Sequence, residues 1–186
     1  TEDPGVAGLT KSSSSDTSYG IRVVVSQTSA WYGPYGGADY LFSLGRDPEL
    51  PAFVFSSNLA NGNPKSVAEA IAHEVGHTLG LRHDGINNSD GTVSGYYAGH
   101  GNWAPIMGVG YSRTVTQWSR GEYAGANNTE DDLAIIDQSL PRSFEWSSTT
   151  TLVRSRSPKR VFCSSRYCST NSRSSASVTA TRSFAA

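Results

Sequence analysis

Apolar residues in the first third of the chain occur in short runs, which is the pattern of strands in a sheet. The run from Tyr19 to Ser26 is nearly continuous and rich in β-branched residues, so it predicts an inner strand. Segments 38–44 and 51–56 predict a second and a third strand. Between the first two strands, residues 31–37 are glycine, proline and aromatic residues, which indicates a loop.

Helical periodicity begins near residue 64 and predicts a helix that packs one face against the sheet. Two start signals compete there. Asn63 could cap a helix with Pro64 at its first position, or Ser66 could cap one with Glu69 three residues later.

A second helix is predicted near the end of the patterned region. Thr129 is a candidate cap, and the acidic residues that follow it suit the positive end of a helix. Leu133, Ile136 and Leu140 form the predicted apolar stripe, and Pro141 follows the expected end.

Residues 85–102 have no periodicity and are rich in glycine, asparagine and serine, so they predict a long loop near the functional site. Asn87, Asn88 and Asp90 could bind Ca²⁺ through oxygen atoms, although their spacing does not match an EF-hand. His100 in this loop is either a substrate contact or an ordinary surface histidine.

Twelve residues, HEVGHTLGLRHD from His73 to Asp84, contain three of the four histidines. His73 and His77 are four residues apart, so on a helix they lie on one face and can bind one metal ion. Glu74 lies about 100° around the helix from His73, beside such an ion, where it can deprotonate a water molecule.

Gly80 allows the chain to turn at the end of this helix, and the turn can bring His83 back as a third ligand. Three neutral nitrogens with one open position make the catalytic form of a zinc site, whereas a structural site uses four protein ligands. The motif therefore predicts one catalytic Zn²⁺.

This stretch resembles the metzincin clan of zinc metallopeptidases, and Asp84 after the third histidine is similar to the adamalysin, or reprolysin-like, branch. The segment Ala104–Gly108 contains the only methionine, Met107, and resembles the Met-turn of that clan. An ordinary core methionine is the alternative for this residue.

The resemblance covers roughly residues 20–140 and implies an α+β fold: a mixed twisted sheet, an active-site helix, a Met-turn and a C-terminal helix. By likeness His73, His77 and His83 are zinc ligands, Glu74 is the general base and Met107 is structural. The second strand would lie at the sheet edge and pair with substrate.

Two departures from the clan are evident. Some metzincins have a tyrosine zinc ligand two residues after the methionine, but Val109 stands there and Tyr111 follows two residues later. The clan also has a helix and a strand before the strand predicted at Tyr19, where only 18 residues precede here. The domain is therefore expected to be abbreviated or to lack its N-terminal elements.

Tyr40 and Tyr111, with His100, are the candidate cleft residues. For the two tyrosines the alternative is simple packing in the fold.

Charge divides the 186-residue chain into two parts. Residues 1–142 carry a net charge of −7 and residues 143–186 one of +6, and the second part is rich in serine and arginine. We therefore predict a peptidase domain over 1–142 and a flexible, low-complexity basic tail over 143–186. Cys163 and Cys168 in the tail could form a disulfide in an oxidising compartment.

These observations predict a zinc-dependent endopeptidase that acts on proteins or peptides. The alternative is a zinc-containing binding module whose catalytic cleft is incomplete. Nucleic acid is not an expected partner, because the basic tail lacks a binding-fold signature. No apolar run is long enough to span a membrane, and no signal peptide is evident. Secretion is expected by family resemblance alone.

Overall fold

The computed structural model describes residue 5, residues 7–140 and the backbone of residues 177–182. Among these residues, four strands form the main sheet: β1 (Gly20–Ser26), β2 (Gly37–Ala38), β3 (Ala52–Phe55) and β8 (Ser177–Arg182). Their order across the sheet is β2-β3-β1-β8. β1 is parallel to both β3 and β8, whereas β2 is antiparallel to β3. The prediction that β1 is an inner strand is therefore confirmed.

The predicted second strand over residues 38–44 is wrong, because only Gly37 and Ala38 pair with β3. Beyond them the chain turns, and Phe42 has a positive φ of 62°. The N–H groups of Phe42 and Leu44 donate to the carbonyls of His77 and Thr78 at the end of the first helix. These residues therefore satisfy the open carbonyls of a helix end instead of extending a strand.

The first helix, α1, spans Pro64–Thr78. The Asn63 side chain accepts hydrogen bonds from the N–H groups of Lys65 and Ser66, so Asn63 is the cap and the competing signal at Ser66 is wrong. Gly80 has a φ of +104° and directly follows the C-terminal cap of α1, which confirms the predicted helix end.

The core lies between α1 and the sheet. Val23 of β1 and Ala52 and Val54 of β3 are buried against Ala70 of α1 and Leu59. Burial of these apolar side chains fixes the sheet-facing side of α1. Its opposite side is thereby left to carry the functional residues.

The predicted loop 85–102 is not wholly irregular. It contains an antiparallel hairpin of β4 (Ile86–Asn87) and β5 (Val93–Ser94). Two further short strands, β6 (Trp103–Pro105) and β7 (Val115–Gln117), pair in parallel on either side of the segment with Met107.

The closing helix, α2, spans Asp132–Ser139. Its cap is Asp131, which accepts from the N–H of Ala134, so the prediction that Thr129 is the cap is wrong. Leu133 is 41 % exposed and does not belong to a buried stripe. Asp132, rather than Leu133, is buried, and its carboxylate accepts a hydrogen bond from the N–H of Ser119. This bond holds the face of α2 that carries Asp132 towards the protein interior.

The described elements make an α+β fold, in which only a short 3-10 turn at Ala7–Leu9 precedes β1. In the part of the chain that the structure describes, no helix is long and apolar enough to cross a membrane. The predicted tail begins at residue 143, outside the described residues, and Cys163 and Cys168 also lie outside them. β8, which belongs to the predicted tail, pairs with β1. The division of the chain at residue 142 stays a prediction.

Candidate active site

Three histidine rings converge at the C-terminal end of α1. His73 and His77 lie one turn apart on the helix, and the turn at Gly80 returns His83 to them. Their ring centroids are 4.8 Å (His73–His77), 5.2 Å (His73–His83) and 4.6 Å (His77–His83) apart. One nitrogen from each ring lies within 4.8 Å of the other two. The structure thus brings together the three residues that the motif singles out.

Backbone carbonyls orient two of these rings. His73 Nδ1 lies 2.8 Å from the carbonyl oxygen of Ile106, and His77 Nδ1 lies 2.7 Å from that of Leu81. A carbonyl only accepts, so Nδ1 carries the proton and donates, and Nε2 keeps a free lone pair. This is the orientation by which proteins prepare histidine to bind a metal through Nε2.

The charge state of the site fits a cation. Burial lowers the pKa of all three imidazoles, with His73 at about 3 and His83 at about 4, and neighbouring rings lower those two further. The rings are therefore neutral near pH 7. His77 Nε2 lies 2.9 Å from His83 Nε2, so the two ring nitrogens converge on one point. A divalent ion near this point would be within reach of both nitrogens, and the donor set fits zinc.

Glu74 points into the same region from the next position on α1. The residue is only 8 % exposed, and burial together with the charge of Asp39 raises the pKa of its carboxyl to about 8. Close packing against Gly37 holds the carboxylate, because a β-carbon on Gly37 would overlap it. A cation bound nearby would lower the pKa of Glu74 and favour its ionised form.

Asp39 is a member of the site that sequence analysis missed. Its carboxylate, that of Glu74 and a ring nitrogen of His77 lie within 4.8 Å of one another. Burial raises the pKa of Asp39 to about 7. Asp39 follows β2, inside the segment predicted as a strand, where a single aspartate gives no signal of metal chemistry.

Met107 lies directly behind α1 and is fully buried. Its backbone carbonyl accepts a hydrogen bond from the N–H of Asp84, the residue after His83. This bond links the turn that carries Met107 to the segment that carries His83. This placement agrees with the structural position that the Met-turn resemblance implies.

Tyr96 also contacts the site without a sequence signal. Its ring centroid lies 4.2 Å from that of His83 and 6.1 Å from that of His73, and 46 % of the residue is exposed. Tyr96 therefore forms part of the solvent-facing wall beside the histidines. The segment between β5 and β6 places it there.

The three candidate cleft residues occupy different places. Tyr111 borders a small cavity that His73 also lines, and burial followed by the charge of Glu74 raises its pKa to about 12. His100 Nδ1 lies 2.9 Å from the hydroxyl of Tyr97. Tyr40 lies on the turn after β2 and is 59 % exposed. Within the described residues, the ring contacts of the three clustered histidines extend to Tyr96 but not to Tyr40 or His100.

The residues considered for calcium form a local turn. Asn88 donates to the Thr92 hydroxyl, and Asp90 accepts from both the N–H and the hydroxyl of Thr92. Asn87 lies in β4 and pairs with Val93. Calcium binding at this turn stays a prediction.

The site consists of a trihistidine cluster that could hold a metal ion, with an adjacent buried carboxylate. Residues 12–136 match the model of the reprolysin-like metallopeptidase family M12B, and the chain belongs to that family. No curated protein and no solved structure matches the chain significantly. The suspected metzincin-type, reprolysin-like relationship is thereby confirmed.

Proposed function

We propose that this protein is a zinc-dependent endopeptidase that hydrolyses internal peptide bonds of proteins or peptides. The observation that carries the proposal is the convergence of three neutral imidazoles beside the buried carboxylate of Glu74. Membership of a metallopeptidase family supports the same conclusion.

His73, His77 and His83 would hold the zinc ion through their convergent nitrogens. When bound, zinc supplies Lewis acidity that polarises a peptide carbonyl and lowers the pKa of a water molecule from about 15.7 towards 7. Glu74 takes the proton of the attacking water and delivers it to the leaving amine. Gly37 acts in this scheme by leaving space for the Glu74 carboxylate.

The sheet edge provides a place for substrate. Among the strands that the structure describes, β2 is the terminal strand of the sheet and pairs only with β3, so its outer edge can pair with an extended peptide. The close approach of Gly37 to Glu74 puts this edge next to the proposed base. An extended peptide paired there would run past the histidines.

Digestion of a peptide library, followed by mass spectrometry, tests the proposal. We expect cleavage within peptides that stops with a metal chelator and returns when Zn²⁺ is added in stoichiometric amount. A zinc-loaded, folded protein that cuts no peptide would overturn the proposal.

Secretion is proposed on family resemblance, and detection of the protein in the culture medium of its source would test it.

A further inference from the structure

A cavity of about 630 Å³ lies where the ends of α1 and α2 meet the N-terminal segment and the turn after β2. Thr78 and Leu79 line it from the end of α1, and Gln138 and Ser139 line it from the end of α2. Neither the three clustered histidines nor the two carboxylates beside them line this cavity. Its volume is in the range of small-molecule sites in proteins. The cavity is therefore a candidate binding site that is separate from the candidate active site.

The charged side chains of this cavity are both cations. Lys11 and Arg46 line it and are exposed, and none of the described lining residues is acidic. In the part of the chain that the structure describes, neither cation forms an ion pair. The Lys11 ammonium packs against Tyr19, because it lies 4.5 Å from the centroid of the Tyr19 ring and 3.4 Å from the Tyr19 hydroxyl. The cavity therefore offers two positive charges to an anion.

Asp16 lies near Lys11 but does not take up its charge in an ion pair. The Asp16 carboxylate accepts hydrogen bonds from the N–H groups of Ser12 and Ser18 and from the Ser12 hydroxyl. These bonds lower the pKa of Asp16, and the charge of Lys11 contributes least to the lowering. Asp16 is also not among the residues that line the cavity.

The deeper wall of the cavity is apolar. Leu79 is only 7 % exposed and Leu44 is partly buried, whereas the two cations are exposed. The charges therefore lie towards the mouth, and the apolar surface lies towards the interior. Ser13 and Ser14 are exposed as well and bring hydroxyl groups that can donate to an anion. An anionic head group with an apolar chain matches this arrangement, because the chain can cover the wall while the head meets the cations.

The charge of the cavity disfavours two other occupants. A metal cation would be repelled by Lys11 and Arg46, and the cavity offers it no carboxylate. Residues 143–186 carry a net charge of +6, so this basic part of the chain would be repelled as well.

We propose that this cavity binds a small organic anion, a monocarboxylate with an apolar chain, whose head lies at Lys11 and Arg46 and whose chain packs on Leu44 and Leu79. The guanidinium of Arg46 suits the head, because its paired N–H groups match the two oxygens of a carboxylate. The N–H of Leu44 donates to the carbonyl of Thr78, so a ligand on this wall also supports the end of α1. The binding does not rest on the proposed peptidase function.

Isothermal titration calorimetry of the full, zinc-loaded chain tests the binding, with octanoate as the probe. Acetate provides the head group without the chain, and octylammonium provides the chain with the opposite charge. We expect octanoate to bind at least about tenfold more tightly than acetate, because its chain buries methylene groups that acetate lacks. Octylammonium should bind more weakly than octanoate, because its charge is repelled by the two cations. Equal binding of octanoate and octylammonium would overturn the inference.

Arg46→Gln locates the bound octanoate, and Arg120→Gln is the matched control, an exposed arginine that does not line the cavity. Arg46→Gln should weaken octanoate binding by at least about fivefold, and Arg120→Gln should bind like the wild type. Lys11→Gln is a second variant of the same site and should also bind more weakly. Thermal unfolding without ligand checks that each variant is folded.

Octanoate bound at the trihistidine centre or at residues 143–186 would titrate alike in the wild type, Arg46→Gln and Lys11→Gln. That result would overturn the inference, as would a wild type without saturable octanoate binding. Thermal unfolding with octanoate at ten times its Kd gives an independent measurement, because a ligand that binds the folded state raises the unfolding temperature. The rise should be smaller for Arg46→Gln than for Arg120→Gln, and equal rises would contradict the assigned site.

Discussion

The sulfur of Met107 fills the space that the missing side chain of Gly76 leaves on α1. A β-carbon built on Gly76 would lie 2.6 Å from Met107 Sδ and 3.2 Å from the ring of Trp118. Gly76 precedes His77 of the trihistidine cluster, and Met107 is hydrogen-bonded to the residue after His83. The contact therefore couples the packing behind the helix to the geometry of the histidines in front of it.

Gly76→Ala should destabilise the fold, because the added methyl group must displace a fully buried methionine. Overpacking of this kind typically costs about 1–3 kcal/mol in the free energy of unfolding. Chemical denaturation of the zinc-loaded protein measures the change. Gly95→Ala is the control, because a β-carbon there meets no atom within 4 Å. Equal stability of the two variants would show that the Gly76–Met107 contact is loose.

His77→Ala should abolish stoichiometric zinc binding, since it removes the ring that lies closest to the other two. Metal analysis of the purified protein measures the loss. His100→Ala is the matched control and should retain its zinc, because the fourth histidine contacts Tyr97 and Trp103 rather than the cluster. Loss of zinc from the His100 variant, or its retention in the His77 variant, would contradict the assigned ligands.

Gly37→Ala should impair catalysis more than metal binding. The backbone of Gly37 has no positive φ, so alanine suits it conformationally, but the new methyl group would displace the Glu74 carboxylate. A displacement of about 1 Å in a reacting group can cost about a hundredfold in rate. Steady-state kinetics and zinc analysis on one preparation separate the two effects. An unchanged kcat would show that the Glu74 side chain is not held by this contact.

Asp132 should make the fold less stable as the pH rises from about 4 to about 7. Burial raises the pKa of its carboxyl to about 7, against the lowering effect of the Ser119 N–H, and the charge of Asp84 raises it further. The folded state favours the protonated carboxyl of Asp132. The contribution of this group to the free energy of unfolding is therefore complete below its unfolded pKa of about 3.9, and it is lost as the pH rises to the folded pKa of about 7.

The pH dependence of Asp132 can be measured by comparison with Asp132→Asn. Denaturation curves of the two proteins at each pH should diverge by at most about 1.4 kcal/mol per pH unit, the limit for one proton. The wild type should lose stability relative to the variant as the pH rises through this window. Parallel curves between pH 4 and 7 would mean that Asp132 titrates normally in the folded state.

The site was predictable where a local pattern carries the geometry. Spacing of four residues on a helix places His73 and His77 together, and the positive φ of Gly80 allows the return to His83. The inner strand β1 was also predictable, because a continuous β-branched run suits a strand buried between neighbours.

The remaining features depend on contacts between distant segments. Residues 38–44 predict a strand, but the N–H groups of Phe42 and Leu44 donate to carbonyls at the end of α1, and the chain turns there. Asp39 and Tyr96 reach the histidines from segments that carry no motif of their own. The burial of Asp132 rather than Leu133 follows from its bond to Ser119, which the periodicity of α2 does not encode.

The most direct measurement compares cleavage rate and zinc content in Glu74→Gln, with the exposed Glu49→Gln as control. Glutamine keeps the shape of glutamate and cannot accept a proton from water at neutral pH. At one equivalent of zinc, the account predicts that Glu74→Gln keeps the tightly bound metal and loses cleavage, while Glu49→Gln matches the wild type. A Glu74→Gln protein that still cuts peptides at the wild-type rate would contradict the account.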